Sequence, residues 1–137
     1  MNEDEIEDQG SEHIDENDAN LAMSSLALLA LNEDNHKAII DGNGIKSAVE
    51  RIIQVAQHGY TPGLQIMSSI DLLVHLFAFG SNNTKQLIQN SLSPEILDQL
   101  KDNQYIGNEI QKLINAYSNS QAAKELIKIR RLNEMNK

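Results

Sequence analysis

Apolar residues recur along this chain in three- and four-residue steps, and short runs of Asn, Ser, Asp and Gly interrupt them. That period predicts helices from end to end of the body. The first runs from about Ala19 to Leu31, with Leu21, Leu26, Leu28, Leu29 and Leu31 almost all round it, so it is expected to be buried on most faces. Asp18 or Asn20 is its expected cap. Asn32-Glu33-Asp34-Asn35 breaks the pattern, and His36–Asp41 makes a short helix with Ile39 and Ile40 inward. Asp41-Gly42-Asn43-Gly44 is a corner whose two glycines can take backbone angles closed to other residues. A second helix, Ile45 to about Gln57, carries Ile45, Val49, Ile52, Ile53 and Ala56 on one stripe, with Arg51 off it.

His58 to Gly63 reads as a loop, with Thr61 and Pro62 opening the next helix. That helix, from about Leu64 to Phe79, has few polar positions and is the predicted centre of the core. Gly80-Ser81-Asn82-Asn83 repeats the polar break, and Thr84 to about Asn90 repeats the short helix. Ser93-Pro94-Glu95 is a strong helix start, a Ser cap followed by Pro at the first helical position and an acid in the first turn. Ile96, Leu97 and Leu100 lie on that helix. Another follows from about Gln104 to Tyr117, then Ser118-Asn119-Ser120, then a last helix from Gln121 to about Asn133.

The breaks fall into register. Residues 28–31 (LLAL) match 76–79 (LFAF), and 36–40 (HKAII) match 84–88 (TKQLI), at an offset of 48; residues 124–127 (KELI) match 85–88 (KQLI) at an offset of 39. The mean lies near the ~40–47 residues of armadillo and HEAT units. A long apolar helix, an Asn-containing break, Lys-x-x-Ile, a Gly-rich corner and a shorter apolar helix resemble the armadillo family. Here the pattern reads AMSSLALLALNEDNHKAIIDGNGIKSAVERII. The second copy has Ser91-Leu92 in place of the glycines, and the third stops inside its first helix. The resemblance covers about residues 20–130. It implies an all-α, right-handed armadillo-like helical solenoid of about two full repeats plus partial end repeats, with the long helices lining a concave face. HEAT geometry, with two helices per unit, is the near alternative. Half-units at both ends would leave apolar end faces, so end-to-end packing with another helical repeat chain or a second copy is expected.

Composition refines this picture. Of the 20 acidic residues, nine lie in residues 1–18, which have no Lys or Arg, so the rest of the chain is formally neutral. Residues 1–18 hold only Ile6 and Ile14 as large apolar side chains and are expected to form a disordered acidic tail, with residues 19–137 as one repeat domain. Such a tail either binds a basic partner, shields the first helix, or only solubilises the chain. A neutral body argues against a nucleic-acid surface. There is no Cys, which excludes disulfides, Cys-ligated zinc and Cys nucleophiles. No apolar run is long enough to span a bilayer, and the acidic start is unlike a signal peptide, so the expected setting is intracellular, cytoplasmic or nuclear.

Candidate chemistry is sparse. His13, His36, His58 and His75 share no ligand spacing, so no metal and no cofactor is expected. The Asp41–Gly44 corner lacks the spaced acids of a calcium loop and the Lys-Ser/Thr of a phosphate loop. Nothing points to an enzyme. Importin-type armadillo receptors use Trp and Asn ladders; this chain has no Trp, and the ladder positions hold Leu28 and Leu76, with only Asn115 matching. The expected function is a non-catalytic protein-binding or scaffolding module that takes a protein or extended peptide; the alternative is a structural subunit docked through its open ends and tail. The expected groove residues are the outward polar positions of the long helices: Ser68, Ser69, Asp71 and His75, then Asn108, Glu109 and Lys112. A basic C-terminal patch comprises Lys124, Lys128, Arg130 and Arg131, at net +3 when Lys137, Glu125 and Glu134 are included. It would meet an acidic partner, RNA or the chain's own tail, or simply be a solvated last helix.

Overall fold

The computed structural model describes residues 18–61 and 63–136; the predicted acidic tail lies outside them, apart from Asp18. Among the described residues the chain forms eight α-helices and one 3-10 turn, with no strand. Residues 18–29 are helical (α1). The 3-10 turn Glu33–Asn35 and α2 (His36–Asp41) follow, then α3 (Gly44–His58), α4 (Met67–Phe79), α5 (Asn82–Ser91), α6 (Pro94–Leu100), α7 (Gly107–Ser118) and α8 (Ser120–Met135).

α1 buries only the stripe Met23, Ala27 and Ala30, while Leu21, Leu28 and Leu29 are exposed, contrary to the expectation of burial on most faces. Small residues on the packed stripe bring the backbones close, which leaves the larger leucines outside. Side chains satisfy its last carbonyls: Asn35 donates to the Leu29 oxygen at 2.9 Å, and His36 Nε2 donates to the Ala30 oxygen at 2.7 Å. Asn20 is not a cap; it sits inside the helix, donates to the Gly63 carbonyl and accepts from the Arg51 guanidinium.

At the corner it is Asn43, not a glycine, that takes the left-handed conformation (φ 65°). Asn enters that region more readily than other side-chain-bearing residues because its short polar side chain can interact locally with the backbone. Gly44 is needed for closeness: a Cβ there would lie 2.6 Å from Ile39 Cγ2 and 2.9 Å from the Ile39 carbonyl oxygen. α3 then buries Ile45, Ala48, Ile52 and Val55, with Val49 and Ile53 half-buried, and ends at Gly59 (φ 78°).

α4 begins at Met67, three residues later than the pattern suggests, and Thr61 does not cap it. Leu64 and Ile66 reach the core from non-helical backbone, and Arg51 binds the Gln65 carbonyl at 3.0 Å. Apolar side chains can point inward from either conformation, so hydrophobicity alone overextends the helix. α4 is the centre of the core, with Ile70, Leu72, Leu73 and Leu76 fully buried and α3, α5, α7 and α8 packed around it.

Ser81 accepts from the Thr84 N–H at 3.3 Å to open α5, and Ser93 accepts from the Ile96 N–H at 3.2 Å to open α6 with Pro94 in its first turn. Leu97 is buried, whereas Ile96 is exposed. α7 starts at Gly107, not Gln104, because the Asn103 side chain holds the preceding turn: its Oδ1 accepts from Tyr105 N–H (2.8 Å) and Ile106 N–H (3.2 Å), and its Nδ2 donates to Ala56 oxygen (3.0 Å).

The long helices α1, α4 and α7 run side by side in one direction. Asn20 meets Gly63, Ser24 Oγ lies 2.7 Å from Ser68 Oγ, and Ala27 oxygen lies 2.6 Å from His75 Nδ1, so α1 and α4 advance together. Met67 and Glu109, near the starts of α4 and α7, border one depression, and further along the Phe77 and Tyr117 rings stack with centroids 4.8 Å apart, so α7 follows α4 in the same direction. α8, capped by Asn119 on the Ala122 N–H at 3.0 Å, turns back across this row. Its single buried residue, Ile127, reaches the ends of α1 and α4 beside Leu31 and Phe79.

Candidate functional site

The return of α8 encloses a cavity of about 190 Å³ between α4, α7 and α8. α4 contributes Asp71, Val74 and His75, one turn apart on one face; α7 contributes Lys112 and Asn115; α8 contributes Ala122, Leu126 and Arg130 at four-residue steps. The walls are mainly apolar, with polar groups of both kinds at the rim. The volume is below the ~300–1,000 Å³ of small-molecule pockets. It suits a single side chain better than a cofactor.

His75 is the most constrained polar group there. A carbonyl only accepts, so Nδ1 carries a proton and donates it to the Ala27 oxygen, which leaves Nε2 as an acceptor in the neutral ring. Burial lowers its pKa below the ordinary 6.5; the bond to Ala27 and the Asp71 carboxylate oppose that shift, and the charges of Arg130 and Arg131 add to it. Through that bond His75 holds α4 to α1.

The other predicted groove residues separate. Ser68 is half-buried and bonded to Ser24. Ser69 is fully buried, not outward, and its hydroxyl has no protein partner among the described residues. Ser68, Asp71 and His75 share the partly exposed stripe, and Ser69 falls about 100° away from Ser68 on a covered side, so a polar side chain alone does not mark the solvent face of α4. Asn108 is exposed and lines no part of the cavity. Glu109 pairs with Lys112 at 3.2 Å and borders a separate depression beside Tyr60 and Met67. Only Asp71, His75 and Lys112 of the predicted set share the cavity.

No family model matches the chain, and no curated protein or solved structure matches it either.

Of the basic C-terminal residues, Arg130 faces the cavity, while Lys124, Lys128 and Arg131 share one face of α8 beside Phe79, with Lys124 Nζ 5.5 Å from the centre of that ring. Lys128 and Arg131 border an open depression of about 520 Å³ floored by Leu31, Phe79 and Ile127. Successive helical residues point about 100° apart, so Arg130 faces away from its neighbour Arg131. The role of α8 as a wall was missed from sequence; the only trace was the spacing of Ala122, Leu126 and Arg130 on one face.

A second feature adjoins the cavity. Leu21, Ser24 and Leu28 form one stripe of α1, and Ser24 joins it to the Ser68–Asp71–His75 stripe of α4. Leu21 is 67% exposed and Leu28 56% exposed. Together these stripes make a face with apolar anchors on one side and polar groups on the other. Among the described residues no group of three or more His, Asp or Glu is placed to hold a metal ion, and no helix is long and apolar enough to cross a membrane.

Proposed function

We propose that this chain is a non-catalytic protein-binding module, folded as a short armadillo-like stack. In this reading α2–α3–α4 and α5–α6–α7 are the two full units, and α1 and α8 belong to partial ones. The parallel course of α1, α4 and α7 supports the stack, since equivalent long helices of successive units run in one direction. The binding face is the α1–α4 surface with the cavity at its end, and the partner is an extended or helical peptide segment that anchors apolar side chains on Leu21 and Leu28 and polar groups near Asp71.

The observation that carries this reading is the exposure of Leu21 and Leu28 on the stripe that Ser24 joins to α4. Solvent-exposed leucines grouped beside polar residues mark interaction surfaces more often than isolated ones do. The test is selection of random displayed peptides on the full chain, followed by amide-shift mapping. Shifts centred on Leu21, Leu28 and Asp71, and about tenfold weaker binding by Leu21→Asp or Leu28→Asp at unchanged helicity, are expected. Peptides that map elsewhere, or that ignore both substitutions, would refute it.

One observation favours the structural-subunit reading as well. Leu29 is exposed on the other side of α1, where an end-to-end neighbour would sit. Light scattering separates the two: larger species that Leu29→Asp dissolves point to a piece of an assembly.

A further inference from the structure

We infer that the open depression at the ends of α1 and α4 is the docking surface for the chain's own N-terminal segment, residues 1–17. This inference concerns a different surface from the α1–α4 face and does not rest on the reading above. The depression is floored by Leu31, Phe79 and Ile127, walled by Leu132, and rimmed by Lys128 and Arg131. It combines exposed apolar surface with positive charge, and its occupant must supply the complements of both.

Residues 1–17 do so. They contain eight acids and no Lys or Arg, in a chain whose remaining charge is nearly balanced. Lys128 has no ion pair among the described residues, and Arg131 has only an exposed contact with Glu134 at 3.3 Å. Single exposed pairs are weak. A tethered segment, however, presents its whole charge at an effective concentration in the millimolar range, which an untethered acidic partner must match from solution.

Reach selects the anchor. Asp18 to Leu31 runs along α1 for about 20 Å at 1.5 Å per residue. From Asp18 back to Ile14 the chain spans at most about 14 Å, and back to Ile6 about 43 Å. Ile14 falls short of the depression and Ile6 reaches it with slack. Ile6 also has the densest charge beside it, with Glu3, Asp4 and Glu5 on one side and Glu7 and Asp8 on the other. Ile6 therefore seats on Leu31, Phe79 and Leu132, and its flanking carboxylates meet Lys128 and Arg131.

The chain has no Cys, so a nitroxide on Gln9→Cys in the otherwise native full chain reports the segment's position without interference. The expected result is broadening of amide signals in Leu31 and the second half of α8, with α6 unaffected. Ile6→Asp, and separately Lys128→Glu with Arg131→Glu, should abolish the broadening, as should about 0.5 M salt for the charged part of the contact. Ile14→Asp should leave it in place. Absence of localised broadening, or broadening that survives Ile6→Asp and the charge reversal, overturns the proposal. So does broadening that appears between spin-labelled and isotope-labelled molecules in a mixed sample, because the occupant is then a second copy.

Discussion

Replacement of His75 tests the joint between α1 and α4. The Ala27 carbonyl lies in the last turn of α1, where its regular partner would be the Leu31 N–H. That N–H instead donates to Leu28 oxygen at 3.2 Å, so the 2.6 Å bond from His75 Nδ1 supplies the Ala27 oxygen. His75→Ala removes the donor and leaves a shielded carbonyl without it, which should cost about 1–3 kcal/mol. His75→Asn places an amide N–H at the same side-chain position as Nδ1, so it should recover most of that loss. Urea unfolding followed by far-UV circular dichroism measures both. The pH dependence supplies a second arm. Above the ordinary value of 6.5 the ring is neutral in the folded and unfolded chains alike. As pH falls below it, the unfolded chain takes up a proton that the buried ring resists, so stability declines until the lower folded-state value is passed. The wild type should therefore lose more stability than His75→Asn on going from about pH 7.5 to about pH 5, since Asn does not titrate. If the Ala and Asn variants are equally stable, or if wild type and Asn variant share one pH profile, the joint does not work this way.

Other substitutions probe the remaining supports. Asn103→Ala deletes the turn that satisfies Tyr105, Ile106 and Ala56 at once, and should lower stability by about 2–3 kcal/mol in the same unfolding assay, with the loss of both capping and a shared carbonyl partner. Gly44→Ala should cost about 1–3 kcal/mol, because its Cβ would press on Ile39 at 2.6 Å. Gly42→Ala, whose Cβ would approach only to 3.2 Å of the Ala38 oxygen, should cost less, and the reverse order would contradict the assignment of Gly44 to close approach. Ser93→Ala should cost about 1 kcal/mol through the lost cap on Ile96, with Ser93→Asp close to wild type.

Where a stretch had both a periodic apolar pattern and its own punctuation, its structure was legible. Ser93 and Pro94 mark the start of α6 because capping depends only on residues within one turn. The centre of the core was legible for a related reason: Leu72, Leu73, Leu76 and Phe77 leave α4 no face it can show to water at low cost. The late starts of α4 and α7 were not legible. Leu64, Ile66 and Ile106 are buried from non-helical backbone; the first two lie beside Gln65, which Arg51 holds from α3, and Ile106 lies in a turn that Asn103 closes locally and ties to Ala56 of α3. Of the candidate site, Asp71, His75 and Lys112 were found because they are polar residues on long helices. Ser69 was misplaced by the same reasoning, since polarity does not tell an outward serine from one buried without a partner.

The sequence by itself determined that this chain is helical, where most of its helices break, and that its charge imbalance lies in the first eighteen residues. These properties follow from local backbone preference and from composition, which need no knowledge of neighbours. Tertiary structure alone decided that α1 leaves Leu21, Leu28 and Leu29 outside, that His75 is bonded to Ala27, and that α8 turns back over α4 and α7. The last of these divides Arg130 from Lys128 and Arg131 and makes both the cavity and the depression. A helical period says which residues share a face; which other helix covers that face depends on how all of them pack at once.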